Sequence, residues 1–297
     1  MKRISQKEFF LSTALVLLST VCLSMSAAFW KALSVDASLP FVTFFRFFSP
    51  FFLLILWILL RRKKIHVPSI WPHLFRAFSV TIGQFLLLYV LSQTNLLLAT
   101  LLNATSGLFA PLLMSLFLKV HASRRAIISI IISFAGVAIA LGSWNQLWAP
   151  ISLLGLLSGL FTAIGQLLQH QRAKSEDIAT MSALLFGLCS LFSLPLFLFF
   201  PGPVLSINFN LSMLGMIVTF GLFTVGNQTL KTAAYKKVNK PSTLSPFLYA
   251  TIIFSGIIDW IWRGIVPPFH TQLGVLIILF GAFIMSLRKV PKNLTNK

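Results

Sequence analysis

Acidic residues are almost absent from this chain: only five of its 297 residues are Asp or Glu, against 24 Lys and Arg. Charged residues make up 10% of the sequence, whereas 57% is hydrophobic and the mean hydropathy is +0.90. An ordinary soluble domain carries about 25% charged residues. The composition therefore excludes a soluble globular protein and predicts an integral membrane protein.

Cysteine is also scarce, and both copies, Cys22 and Cys189, lie in apolar segments. This excludes a disulfide framework and any cysteine spacing typical of a metal site, so we expect no metal and no cofactor. The predicted spans contain no histidine and at most two carboxylates. Chemistry within a bilayer needs acid, base or nucleophile groups there, so we predict that the chain is not an enzyme.

The net charge of +19 could indicate a nucleic-acid partner. A nucleic-acid surface, however, gathers cations on one solvated face together with polar or aromatic side chains. Here the cations form short clusters between apolar runs, the pattern that the positive-inside rule produces in membrane proteins. We therefore predict a lipid bilayer and no nucleic acid as the partner.

The stretch from Pro40 to Lys64 anchors the membrane topology. About twenty mostly apolar residues cover roughly the 30 Å hydrocarbon core as a helix and end in Arg61-Arg62-Lys63-Lys64. Nine further runs have the same character, which predicts an all-α integral membrane protein with ten transmembrane helices. The predicted spans are 9–30, 40–60, 74–91, 95–118, 126–141, 151–168, 178–200, 211–232, 241–262 and 272–287.

The distribution of cations predicts the orientation. If both termini are cytoplasmic, 21 of the 24 cations fall in inside segments, Arg76 and Lys231 among them. Lys31 and Arg263 fall outside, and Arg46 falls within the second span. Such asymmetry indicates a multi-pass protein of the cell membrane, here the bacterial inner membrane, with both termini in the cytoplasm.

The chain divides into two similar halves, residues 1–149 and 150–297. Gly83-Gln84 in the third span corresponds to Gly226-Asn227-Gln228 in the eighth, and the fifth and tenth spans end alike. Because each half has five spans, the second half enters the membrane upside down relative to the first. Inverted repeats of this kind are typical of secondary transporters, with substrate bound near the midplane.

Three motifs carry a resemblance to a known family. The FFRF of Phe44 to Phe47, the LNATSGLF of Leu102 to Phe109 and the SPFLY of Ser245 to Tyr249 resemble the drug/metabolite transporter superfamily, in its EamA-type branch. The resemblance covers nearly the whole chain and implies a central cavity lined mainly by spans one, three, four, six, eight and nine. Two departures matter: Val120 and Ile265 replace family glutamates, and Gly107 replaces a family proline.

Polar residues within spans are the candidates for substrate binding. Arg46 can bind an anionic group or pair with a helix carbonyl at the span end, and both interpretations stay open. Intramembrane amides can bond helix to helix or line a polar pocket, and their concentration on the expected cavity spans favours a pocket. Aromatic side chains can stack on a ligand or simply pack. The amide and aromatic candidates are Gln84, Asn103, Gln166, Asn227, Gln228, Trp30, Tyr89 and Tyr249.

Asp259 and Arg263 stand four residues apart on one helical face near the predicted external end. This spacing favours a structural ion pair, with a substrate or coupling role as the alternative. Because Asp259 is the one acidic residue that the prediction embeds in a span, we expect facilitated diffusion or exchange in preference to proton symport.

These features predict a transporter that moves a small metabolite by alternating access. Aromatics, amides and one arginine favour an amino acid, a nucleoside or an S-adenosylmethionine-like compound. The alternatives are a non-transporting structural subunit of a membrane assembly and an exporter of drug-like amphipathic compounds. A homodimer is a further hypothesis.

Overall fold

The structure is a computed structural model that describes residues 6–35, 37–63, 69–118, 124–142, 144–173, 175–199, 211–238 and 244–286. Every regular element in these ranges is a helix. The helices are α1 (Gln6–Leu33), α2 (Leu39–Leu60), α3 (Trp71–Gln93), α4 (Leu96–Ala104), α5 (Ser106–Leu118), α6 (Arg124–Ala140), α7 (Trp144–Leu147), α8 (Pro150–Ala173), α9 (Ile178–Phe199), α10 (Leu211–Lys237), α11 (Ser245–Leu248), α12 (Ala250–Arg263) and α13 (Phe269–Ser286).

Six of these helices are long and apolar enough to cross a bilayer by themselves: α1, α2, α3, α8, α9 and α10. The pairs α4 with α5 and α11 with α12 each form one interrupted span, and α6 and α13 complete ten. Helices suit this role because every interior backbone N–H and C=O is bonded within its own segment, where lipid offers no partner. The prediction of an all-α protein with ten spans is confirmed.

The helix pairing follows the predicted repeat. Helix α1 of the first half packs along α10 of the second, and α8, the counterpart of α1, packs along α3, the counterpart of α10. The remaining major pairs, α2 with α9 and α6 with α13, join a helix to its own counterpart. A twofold pattern of this kind is what two inverted five-helix units produce when they pack face to face.

We name the two ends of this bundle from the predicted orientation. The predicted cytoplasmic end carries the end of α2, the start of α3 and the turn between α8 and α9. The predicted external end carries the end of α1, the turn between α3 and α4 and the end of α12. At each end, these three parts of the chain come together in space.

The fourth span is broken, which the sequence did not predict. Residues 95–118 were expected to form one helix, but α4 ends at Ala104 and α5 begins at Ser106, with Thr105 in a turn between them. The Thr105 hydroxyl donates to the Leu102 carbonyl at 2.6 Å, a side-chain bond that competes with helix continuation. The interruption lies where α4 and α5 both pack against α8.

The ninth span is broken in the same way. Helix α11 ends at Leu248 and α12 begins at Ala250, so Tyr249 occupies the turn; residues 241–243 of the predicted span lie outside the described residues. The two interruptions meet, because a Cβ added to Gly107 would lie 2.6 Å from the Tyr249 hydroxyl and 2.9 Å from its Cζ. Any larger residue at position 107, including the family's proline, would displace this ring.

Small residues also explain the approach of α8 to α4. The G-x-x-x-G of Gly155 and Gly159 predicted close helix packing. A Cβ on Gly155 would lie 2.6 Å from Leu102 Cδ1, and one on Gly159 would lie 2.5 Å from Thr105 Oγ1. The close packing is therefore confirmed, and it presses the broken fourth span against the second half.

Candidate substrate-binding site

A cavity of about 130 Å³ lies between the two halves. Helices α1, α2, α3, α4 and α5 line it from the first half, and α8, α9, α10, α11 and α12 from the second. It thus includes the six spans that the resemblance implied, with α2 and α9 in addition. The lining residues are Thr20, Leu23, Ala27, Arg46, Phe47, Arg76, Val80, Gln84, Leu87, Thr100, Asn103, Ala104, Ser106, Gly107, Thr162, Gly165, Gln166, Gln169, Leu185, Phe186, Thr224, Asn227, Gln228, Lys231, Leu248, Tyr249 and Thr251.

Arg46 reaches this cavity from α2. Its side chain is only 5% exposed, and its Nη2 donates to Gln84 Oε1 on α3 at 2.5 Å. The guanidinium also lies 5.7 Å from the centre of the Phe220 ring, a distance at which a cation is attracted to an aromatic face. Arg46 is therefore held inside the bundle by polar and aromatic partners and does not snorkel to the membrane surface.

The amide of Asn103 bridges the first half to the second. Its Nδ2 donates to Ser158 Oγ at 2.8 Å and to Thr162 Oγ1 at 3.0 Å, both on α8. These bonds leave the Asn103 carbonyl oxygen as the group that can accept a bond from a ligand. Asn103 therefore serves helix packing and the cavity wall together.

A second polar chain joins α8 to α10. Gln169 Nε2 donates to Thr232 Oγ1 at 2.7 Å, and Gln228 Nε2 approaches the same hydroxyl at 3.5 Å. Thr232 in turn donates to the main-chain carbonyl of Gln228 at 2.7 Å. The Thr232 hydroxyl thus uses its hydrogen within α10 and offers its oxygen to both glutamine amides, which ties α8 to α10 at the cavity wall.

Seven of the nine predicted binding residues line the cavity: Arg46, Gln84, Asn103, Gln166, Asn227, Gln228 and Tyr249. Tyr249 is buried, and its hydroxyl makes no hydrogen bond within the described residues. The other two lie elsewhere. Tyr89 is 41% exposed on the outside of α3, and Trp30 is packed in the core at 1% exposure with its Nε1 unpartnered in the described part of the chain.

Two cations that sequence reasoning assigned to inside segments line the cavity instead. Arg76 lies one turn into α3 with 3% exposure, and Lys231 lies within α10, six residues before its end. The spacing of Lys231 could have revealed it, because Asn227 and Gln228 precede it by four and three residues on the same helical face. No acidic side chain is among the described residues that line this cavity.

A buried contact between a histidine and a carboxylate at the predicted cytoplasmic end was also missed. His73 and Glu176 are 2% and 5% exposed, and His73 Nε2 lies 2.9 Å from Glu176 Oε2 without the alignment of a hydrogen bond. Arg172 Nη1 lies 3.8 Å from the other carboxylate oxygen. The sequence predicts every histidine in a loop or at a span end, and His73 does lie near the start of α3. Packing against the turn between α8 and α9 nevertheless buries it.

The predicted external end is fixed by bonds to main-chain atoms. Lys31 Nζ donates to the carbonyls of Leu91 and, at 2.6 Å, of Thr94. Asp259, 1% exposed, accepts a bond from the Leu97 amide at 2.9 Å, and its other oxygen lies 3.4 Å from Arg263 Nη1. Asp259 and Arg263 do not line the cavity.

A cavity that carries amides and cations on a largely apolar wall and is enclosed by corresponding helices of two inverted repeats is the architecture of a secondary transporter. The sequence profile of the EamA-like transporter family matches residues 11–142 and again residues 149–287. The chain therefore belongs to the EamA-like transporter family, which confirms the resemblance carried by the three motifs. It is a multi-pass membrane transporter, and its family is one of transporters, not of enzymes.

Two relatives agree with this assignment, and a solved structure shares the fold. An uncharacterized transporter of Helicobacter pylori strain J99 is 25% identical over 297 residues, covering 95% of this chain and 96% of the relative. An uncharacterized transporter of Archaeoglobus fulgidus is 25% identical over 191 residues, covering 63% of this chain and 66% of the relative. A solved crystal structure shares the fold with a TM-score of 0.68 at 17% identity and covers 94% of this chain and 97% of its own.

Proposed function

We propose that this protein carries a small metabolite with an anionic group across the membrane by alternating access. One observation carries the proposal: the cavity between the halves holds Arg46, buried and bonded to Gln84, while no described lining residue is acidic. A buried cation without a nearby acid is costly, and an anionic substrate would supply the missing charge. Amides of both halves and the Tyr249 hydroxyl would hold the rest of the molecule.

This charge distribution selects among the substrate classes that the sequence suggested. A carboxylate, as in an amino acid, can bind the Arg46 fork in a bidentate manner. A neutral nucleoside would leave that charge unpaired, and an S-adenosylmethionine-like sulfonium would meet a cation in a cavity without acids. The same argument disfavours export of cationic drug-like amphiphiles.

The test is uptake into proteoliposomes over a panel of radiolabelled metabolites that differ in charge. We expect uptake of carboxylate-bearing compounds and its loss in Arg46→Ala. Arg61→Ala is the matched control, because Arg61 is an exposed arginine just past the end of the same helix. If Arg46→Ala transports normally, then Arg46 has only a structural role. Absence of uptake for every compound by folded protein would favour the structural-subunit alternative.

For the energy source, we propose facilitated diffusion or exchange in preference to proton symport. The scarcity of embedded carboxylates supports it, although the burial of Glu176 beside His73 adds a second candidate proton site to Asp259. Counterflow should persist when a protonophore collapses the pH gradient. If uptake by the unchanged protein stops when the pH gradient collapses, the protein is a proton symporter. The proton site is then whichever of Glu176→Gln and Asp259→Asn makes uptake independent of the pH gradient.

We propose that the protein lies in a bacterial inner membrane with both termini in the cytoplasm, and the bias of the cations supports this orientation. The homodimer stays a prediction, and the molar mass of the detergent-solubilised protein by light scattering tests it. A mass of one chain after subtraction of the detergent would contradict it.

A further inference from the structure

Arg76 and Lys231 form a second cationic group in the cavity, separate from Arg46. The two residues face each other from α3 and α10, one helix from each half, and both line the cavity. Arg76 is 3% exposed, and its Nε and Nη1 atoms make no hydrogen bond within the described residues. In the same part of the chain, Lys231 makes neither a hydrogen bond nor an ion pair, and Arg76 opposes its charge electrostatically.

The one acidic group in range does not neutralise this pair. Glu176 attracts Arg76 electrostatically but forms no ion pair with it, and its carboxylate oxygens lie instead 2.9 Å from His73 and 3.8 Å from Arg172. A single carboxylate thus faces several positive or potentially positive groups. Two cations in a cavity without a counterion repel each other, and burial makes that repulsion stronger.

The helix geometry sets the spacing along α3 between Arg76 and the partner of Arg46. Arg46 is bonded to Gln84, and Arg76 precedes Gln84 by eight residues on the same helix, α3. At 1.5 Å per residue the backbone positions of Arg76 and Gln84 are about 12 Å apart along the axis, so the two cationic groups are anchored at different heights of the bundle. Polar amides occupy the space between them, on α8 and α10.

We infer that the substrate carries two anionic groups, one bound by Arg46 with Gln84 and the other by Arg76 with Lys231. This inference deepens the proposed function and rests on it. The Nε and Nη1 atoms of Arg76 are donors without a partner among the described residues, a carboxylate or phosphate oxygen can accept a bond from a guanidinium, and Lys231 adds a point charge. The substrate class is a small dianionic metabolite whose charged groups stand at opposite ends of its skeleton.

The probes are straight-chain dicarboxylates of about four to eight carbons and monocarboxylates of the same lengths. Each is titrated against the full-length protein in detergent micelles, and the dissociation constant is taken from the rise in the thermal unfolding midpoint. We expect a dicarboxylate of optimal length to bind at least about tenfold more tightly than its monocarboxylate, since a second buried charge contact contributes that much or more. Inorganic phosphate, which is too short to reach both sites, should bind no better than a monocarboxylate.

Substitutions test which residues bind each of the two anionic groups of the substrate. Lys231→Gln, Arg76→Gln and Arg46→Gln should each reduce the ratio of monocarboxylate to dicarboxylate dissociation constants to about one. Lys237→Gln is the control, because it removes the same charge from an exposed position on the same helix and should keep the ratio. If Arg76→Gln fails to fold, then Lys231→Gln against the charge-preserving Lys231→Arg gives the same comparison.

Three results would overturn the inference: equal affinity for both series, phosphate binding as tight as the best dicarboxylate, or an unchanged ratio in Lys231→Gln. Uptake assays with the same compounds separate this failure from that of the proposed function. Transport of monocarboxylates with a ratio of one would overturn only the second anion site. Selective binding of dicarboxylates without any uptake would overturn only the transport proposal.

Discussion

The two ends of the bundle hold the halves together by different chemistry. At the predicted external end, Asp259 of the second half bonds to the main-chain amide of Leu97 in the first. At the predicted cytoplasmic end, His73 and Glu176 join the halves through side chains alone. The amide at a helix terminus is held in place by the backbone, so only Asp259 can move away, whereas both partners of a side-chain pair can rotate apart and bind water. We therefore expect the predicted cytoplasmic end to open more readily.

The first test asks which end of the bundle faces the cytoplasm, and its outcome is all or none. In a variant without Cys22 and Cys189, single cysteines are placed at Ser69, before α3, and at Asn145, in α7. A membrane-impermeant maleimide added to intact cells should label Asn145→Cys and leave Ser69→Cys unlabelled. Labelling of position 69 from outside would reverse the orientation and exchange the names of the two ends.

The largest effect on stability should come from Asp259→Ala. This change leaves the buried Leu97 amide and the Arg263 guanidinium without a partner, and we expect a loss of about 2–4 kcal/mol in the free energy of unfolding. Arg263→Gln removes only the half-exposed partner and should cost no more than about 1 kcal/mol. Chemical denaturation in mixed micelles measures both, and equal costs would show that the ion pair, not the backbone bond, fixes this end.

A smaller loss is expected from Glu176→Gln at the other end. The glutamine keeps the shape of the side chain, and His73 can remain neutral when its partner loses charge, so the cost should be about 1–2 kcal/mol. The same denaturation assay checks it, with Glu8→Gln as a control near the exposed start of α1. A cost above that of Asp259→Ala would reverse our ranking of the two ends.

The smallest effect should come from Lys63→Gln. Lys63 Nζ lies 4.0 Å from Asp177 Oδ1, and both side chains are about half exposed, at 47% and 53%. A solvated pair of this kind contributes no more than about 0.5 kcal/mol. Asp177→Ala should cost more, since Asp177 also accepts bonds from the Ala179 and Thr180 amides at the start of α9. Equal costs for the two variants would indicate that this surface pair matters more than its geometry suggests.

The comparison also shows which parts of the molecule could be predicted from sequence. Spans follow from length and apolar content, because the bilayer imposes one dimension on every helix. Arg46 and the cavity amides stood out because polar groups within an apolar run need partners. The turn at Thr105 could not be predicted in this way. Local side-chain bonding and packing against α8 cause it, and neither produces a periodic pattern in the sequence.

Arg76, Lys231 and His73 were missed for a different reason. Each lies near a helix end, where the positive-inside rule already accounts for a cation and a histidine is unremarkable. What distinguishes them is contact with a helix or turn from the other half, which buries Arg76 and His73 and brings Lys231 to the cavity. Such contacts join residues far apart in the chain. Only the position of Lys231 could have been inferred from the sequence, because its spacing from Asn227 and Gln228 puts it on the same helical face.

The contact of Tyr249 with Gly107 bears on how the two halves came to depend on each other. Gly107 comes from the first half and Tyr249 from the second, so each half supplies a different partner of this contact. We therefore expect joined halves of different relatives to work only where both partners of this contact come together.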